Sequence, residues 1–228
     1  MLIEFFGAPG SGKTTLACAV VRVLSERGLD VRLRYRDVTG FRQRAGRGID
    51  KGVQVTREAL GRPKAALDAW RTVSRTGQRS RGDALKLFVM LLYLRAIRRR
   101  EEARCELLIL HQGFAQWLYS LAFATHRMPA DVVEEALPVV PMANVYVCVS
   151  APIDTLATRL AERRGAGSRM RHEHGGATTG IAHTVELIDG LRTRLEQAGG
   201  RVVTYAFEPS HVLEDEAVLL ADRLQRLI

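Results

Sequence analysis

Five short apolar runs punctuate this chain, and each is followed by a stretch whose apolar residues recur at helical spacing. Leu2 to Phe6 forms the first run and ends at Gly7. Beyond a glycine-rich loop, Thr14 to Arg27 places apolar residues at 16, 17, 20, 21 and 24, so the opening predicts strand, loop and helix. Gly28 fits a helix C-terminal cap. Asp30 to Asp37 alternates Val31, Leu33 and Tyr35 with arginines, which predicts a second strand. Residues 38–52 hold four glycines and four Arg or Lys without periodicity and predict a loop. Helices are expected near 53–74 and 82–104, the second with a basic end at Arg98 to Arg100, and TGQRSRG links them. Glu106 to Leu110 predicts a buried third strand running into His111, Gln112 and Gly113, followed by a helix over 114–126. A short helix near 129–137 should stop at Pro138 and Pro141. Asn144 to Val149 predicts the fourth strand, and Pro152 starts a helix over 153–164. A basic, glycine-rich loop at 165–180 precedes a helix over 181–198, a fifth strand from Arg201 to Phe207 and a last helix over 213–227. Five apolar strands alternating with helices predict an α/β fold of three layers, a five-stranded parallel sheet with helices on both faces.

Composition narrows the class. The chain has 228 residues, 46% apolar and 26% charged, which suits one large folded domain and excludes a disordered chain. The longest apolar stretch, Leu85 to Leu94, is interrupted by Lys86 and falls short of the roughly 20 residues that span a bilayer, so no membrane segment is expected. The N-terminus lacks the basic region of a signal peptide, and a cytoplasmic location is expected. Cys18, Cys105 and Cys148 lack CxxC spacing, which argues for reduced, mostly buried thiols rather than disulfides or a zinc site.

The net charge of +9 is unevenly spread. Residues 32–104 carry 17 Arg and 3 Lys against 7 acids, a local surplus of +13. Guanidinium groups form forked hydrogen bonds with phosphate, so the block suits an anionic partner, nucleic acid included. It equally suits a set of solvated helix faces.

Gly7-Ala8-Pro9-Gly10-Ser11-Gly12-Lys13-Thr14 matches GxxxxGK[ST], and it sits between a strand and a helix as that motif requires. Its glycines let backbone N–H groups point at an anion, and the helix N-terminus adds partial positive charge. Gly7, Gly10, Ser11, Gly12, Lys13, Thr14 and Thr15 are therefore the candidate ATP-binding residues. Lys13 would reach the β- and γ-phosphates, and the Thr14 hydroxyl would take Mg²⁺. No NKxD guanine motif is present, and the chain is short for a motor or helicase.

Taken together, the first strand, this loop, the apolar third strand and the helix with basic loop at 153–171 resemble the nucleoside and nucleoside-monophosphate kinase family, thymidylate kinase-like members most of all. The resemblance covers nearly the whole chain. It implies a lid over 159–175 whose arginines close on the transferring phosphoryl group, here Arg159, Arg163, Arg164, Arg169 and Arg171, with Arg159 and Arg163 on one helix face. It implies an acceptor-binding helical region over 38–104. By the same resemblance Asp37, at the end of the second strand, becomes the candidate base and a partner of Thr14 at Mg²⁺, the alternative being a cap on the following turn. Arg36 and Arg42 would then hold an anionic part of the acceptor.

The third strand departs from the family. Where an acidic residue usually follows the apolar run, this chain has His111-Gln112-Gly113, and imidazole does not replace a carboxylate beside hydrated Mg²⁺. Either His111 acts on the acceptor, or Thr14 and Asp37 hold the metal with the nucleotide phosphates, or the protein binds ATP and turns over slowly. In the first two cases Gln112 contacts substrate. His172 and His174 lack a third ligand and make no metal site. The expectation is a P-loop kinase that uses ATP and Mg²⁺ to phosphorylate a small acceptor, a nucleoside or nucleotide, with a homodimer compatible. A kinase of nucleic acid and a nucleotide-binding switch are the alternatives.

Overall fold

Apolar side chains on both faces of one strand make it the centre of a sheet. In the computed structural model, which describes residues 1–34, 41–162, 177–207 and 212–227 and omits the side chains of 41–49 and 177–179, that strand is β1 (Leu2–Gly7). With β2 (Val31–Arg34), β3 (Leu107–Leu110), β4 (Val145–Ser150) and β5 (Val202–Ala206) it forms a wholly parallel sheet in the order β2-β3-β1-β4-β5. Ile3 lies opposite Ile109 on one side and Val145 on the other.

Alternation within β1 feeds two cores. Ile3 and Phe5 meet Leu16, Val20 and Leu24 of α1 (Lys13–Glu26) and Leu220 and Leu224 of α9 (Leu213–Gln225). Leu2 and Phe6 face the larger core, built by α4 (Arg81–Glu102), α5 (Phe114–Phe123), α6 (Pro129–Ala136) and α8 (Ala177–Gln197). Trp117 of α5 is fully buried there and donates its indole N–H to the Leu87 carbonyl at 2.8 Å, which makes it a core residue. The three-layer sandwich and the strands match the pattern of the sequence, with boundaries shifted by one to three residues where they are described.

Residues 38–52 are the clear correction. From Phe41 onward the chain is helix α2 (Phe41–Gly61), followed by α3 (Pro63–Arg75). Three glycines within residues 41–52 make this a poor helix on propensity alone, but packing of an element outweighs propensity. Lys51 lies over the Tyr93 ring at 5.3 Å, Glu58 pairs with Arg99, and Gln54 bonds Asp50 one turn away. The first two of these contacts tie α2 to α4.

Among the described residues most arginines of the block are exposed, while a few gather on acids near the end of α4. Arg32, Arg34 and Arg100 converge on Glu101, which is 3% exposed, with Arg34 at 2.6 Å. Arg98 pairs with Glu102 at 2.7 Å, and Arg95 donates to the Ala65 and Val139 carbonyls. Of the thiols, Cys148 is buried, Cys105 half-buried and Cys18 exposed, contrary to the expectation that most are buried. Among the described residues no helix is long and apolar enough to cross a membrane.

Candidate active site at the phosphate loop

The loop after β1 is shaped by what cannot fit there. A Cβ on Gly7 would lie 2.2 Å from the Val149 carbonyl oxygen of β4, and the residue has φ +152°. Gly10 and Gly12 have φ of +91° and +87°, the left-handed region that glycine enters without cost. The chain thus turns tightly over the carboxyl end of the sheet and enters α1, whose first N–H groups have no partner within the helix. Lys13 is 7% exposed and folds back to donate its ammonium to the Ala8 carbonyl at 3.1 Å. The Ser11 hydroxyl is wholly buried and has no hydrogen-bond partner among the described residues. Thr14 is half-buried and Thr15 exposed.

From the far side comes α7 (Ile153–Glu162). Its Leu156 packs with Ala8, and Arg159 donates Nη1–H to the Gly10 carbonyl at 3.1 Å. The guanidinium lies over the Phe207 ring, 4.3 Å from its centroid, which fixes the side chain at the loop. The sequence placed Phe207 only as the end of the fifth strand, with no part in the site. An aromatic residue just past the fifth strand, where ligands collect in such sheets, is the signal that marks it.

His111, at the end of β3, is 4% exposed. Its Nδ1 lies 3.0 Å from the Arg34 carbonyl, which only accepts, so Nδ1 carries the proton. Burial pushes the imidazole pKa down and the nearby Lys13 charge adds to this, against the Arg34 bond, so the ring is neutral at pH 7. The side chain that replaces the usual acid therefore brings no charge to the loop. Gln112 beside it is exposed.

The second missed residue is Glu4, an acid inside the apolar run of β1, which the alternation itself could have flagged. Its carboxyl is fully buried and accepts a hydrogen bond from the Ala115 N–H at the start of α5, and its Oε2 has no partner among the described residues. Gly113 lets this happen, because a Cβ there would sit 2.7 Å from the Glu4 carboxyl carbon. Glu4 thus anchors the turn that carries His111, Gln112 and Gly113. Desolvation raises its pKa from 4.5 to about 8, outweighing the backbone N–H groups of Ala115, Phe114 and Gln116 that lower it.

Asp37 and Arg36 lie outside the described residues, as do Arg163, Arg164, Arg169, Arg171, His172 and His174. Arg42 falls within α2, but its side chain is not among those described. The structure therefore brings together Lys13, Ser11, Thr14, Arg159 and His111. Among the described residues no group of three or more His, Cys, Asp or Glu is placed to hold a metal ion. The loop fits a nucleotide triphosphate on three counts: glycines in the left-handed region, a buried hydroxyl without a partner and an inward lysine.

The sequence matches no protein-family model and no curated protein. Among solved structures it is similar to deoxyadenosine kinase from M.mycoides with dATP bound, at 11% identity and a TM-score of 0.53 over 99% of both chains. The same kinase with the products dCMP and a flexible dCDP matches at 10% identity and a TM-score of 0.51, over 99% of this chain and 100% of that one. The fold is shared with these kinases. Both neighbours are deoxyadenosine kinases, which agrees in fold with the nucleoside-kinase part of the resemblance, and neither is a thymidylate kinase.

Because Glu4 has a raised pKa in the fold, it favours the folded state most below about 4.5 and loses that contribution as pH rises toward 8. Urea melts from pH 4.5 to 8.5 should show this declining component in the wild type and lose it in Glu4→Gln. Parallel curves for the two proteins would contradict the assignment.

Proposed function

We propose that the chain is an ATP- and Mg²⁺-dependent kinase that transfers the γ-phosphoryl group to a small acceptor, a nucleoside or nucleotide. The observation that carries this is Arg159 held across the phosphate loop from α7, on the same anion cradle as Lys13. A loop that only bound nucleotide would need no guanidinium fixed at the place where phosphate oxygens gather.

Bound ATP with Mg²⁺ would supply the phosphoryl group and neutralise part of its charge. The protein's share is positioning and electrostatics. Lys13 would exchange its Ala8 partner for phosphate oxygens, the Thr14 hydroxyl would hold the metal, and the Ser11 hydroxyl and α1 N–H groups would bind the phosphates. Arg159 would stabilise the charge that develops on the transferring phosphoryl group. Asp37, following β2, is the proposed base and second metal partner. In the same proposal Arg36, Arg42 and Gln112 hold the acceptor, and Arg163 assists Arg159. His111, neutral and fixed to Arg34, lines the loop without competing for Mg²⁺.

A second reading, a nucleotide-binding switch with little transfer, is favoured by one observation, the absence of an acid at position 111.

Transfer from γ-labelled ATP, offered to nucleosides and nucleotides, to DNA and RNA, and to water alone, tests the proposal. Label should appear on a small acceptor. Label only on polymer would move the acceptor class, and ATP binding without transfer would support the switch. Lys13→Ala should abolish transfer, and wild-type rates in that variant would remove the loop from the mechanism. Arg159→Met should lower kcat by about 10² to 10³ with ATP affinity nearly unchanged, the size seen when one transition-state donor is removed. Asp37→Asn should lower turnover by about 10² to 10⁴, and an unchanged rate would place the base elsewhere.

A further inference from the structure

At the opposite end of the sheet from the phosphate loop, four guanidinium groups line a cavity of about 530 Å³. Arg62, between α2 and α3, faces Arg95, Arg98 and Arg99 of α4 across it, with Glu58 and Glu102 as the lining acids. Pro141 and Met142, which form part of the wall, precede β4, so the cavity opens at the amino ends of the strands. At about 3.3 Å per residue, the length of β1 puts it roughly 20 Å from the loop.

The lining has four positive and two negative side chains. Arg99 pairs with Glu58, and Arg98 with Glu102 at 2.7 Å. Arg95 is different. It is 9% exposed and donates to two carbonyls, Ala65 at 3.0 Å and Val139. Carbonyls satisfy N–H donors but supply no full negative charge, so the cationic charge is buried with partial compensation. Burial indeed pushes the pKa of both Arg95 and Arg99 down, with Asp68 and Glu102 only partly opposing it. Arg62 is exposed at the rim and adds a further cation.

We infer that this cavity is a second anion site, which takes a small phosphate-bearing molecule such as a phosphomonoester or a short polyphosphate. Guanidinium groups recognise phosphate oxygens, and the net charge of +2 on the lining side chains matches one dianion. The volume lies within the range of small-molecule sites. Among the described residues the lining has no aromatic ring, so the site reads charge and not a nucleobase.

This inference does not depend on the kinase reading. Its test uses inorganic pyrophosphate as the probe and the full chain carrying Lys13→Ala, which disables the phosphate loop. Calorimetric titration should reveal one saturable site in Lys13→Ala. Adding Arg62→Glu, a change at an exposed position, should weaken that site by about tenfold or more, the equivalent of one charge-assisted contact. Arg62→Lys should retain most of the affinity, and unliganded melting temperatures should agree among the variants, which separates lost binding from lost folding. No saturable binding in Lys13→Ala would overturn the inference, as would binding that Arg62→Glu leaves unchanged.

Discussion

The whole site rests on an approach between two backbones. Where β1 ends, Gly7 lies so close to the Val149 carbonyl of β4 that no side chain fits between them. This contact brings the chain over the end of the central strands and turns it into α1 within a few residues. With the loop held there, Lys13 folds inward, Ser11 is buried, and α7 can pack its Leu156 on Ala8 and lay Arg159 across the Gly10 carbonyl. Each of these placements needs the one before it. The site is built outward from a glycine.

A second constraint lies beneath the first. β1 supplies both cores, and at position 4 it places a carboxyl in the larger one, at the N-terminus of α5. Burial of an acid is costly, and here the cost is offset by backbone N–H groups and by partial neutralisation. The return is geometric: the turn from β3 into α5 is tied to the same strand that presents the phosphate loop. His111 occupies that turn as a neutral ring hydrogen-bonded to the Arg34 carbonyl.

Much of this was legible in the residues. Strands buried on both faces read as continuous apolar runs, and five of them between helical stretches define the three-layer fold. The phosphate loop is a local motif whose physics is contained in eight residues. What escaped was set by distant partners. The start of α2 reads as a loop because its glycines are unfavourable in isolation, while Lys51 on Tyr93 and Glu58 on Arg99 hold it in the fold. The pairing of Arg32 and Arg34 with Glu101 and of Arg99 with Glu58 joins residues far apart in the chain, which composition does not reveal. Glu4 sat inside an apolar run, where pattern reading discounts a single polar position. Phe207 mattered only once Arg159 was found stacked on it.

The central claim is that the backbone geometry at Gly7 makes the loop a nucleoside triphosphate site. Titration of ATP with Mg²⁺ into the wild-type chain and into Gly7→Ala, with far-UV circular dichroism of both, tests it most directly. The account predicts one saturable ATP site in the wild type and loss of that site in Gly7→Ala while helical content is largely kept. A wild-type chain that is folded but binds no ATP, or a Gly7→Ala chain that binds it equally well, would contradict it.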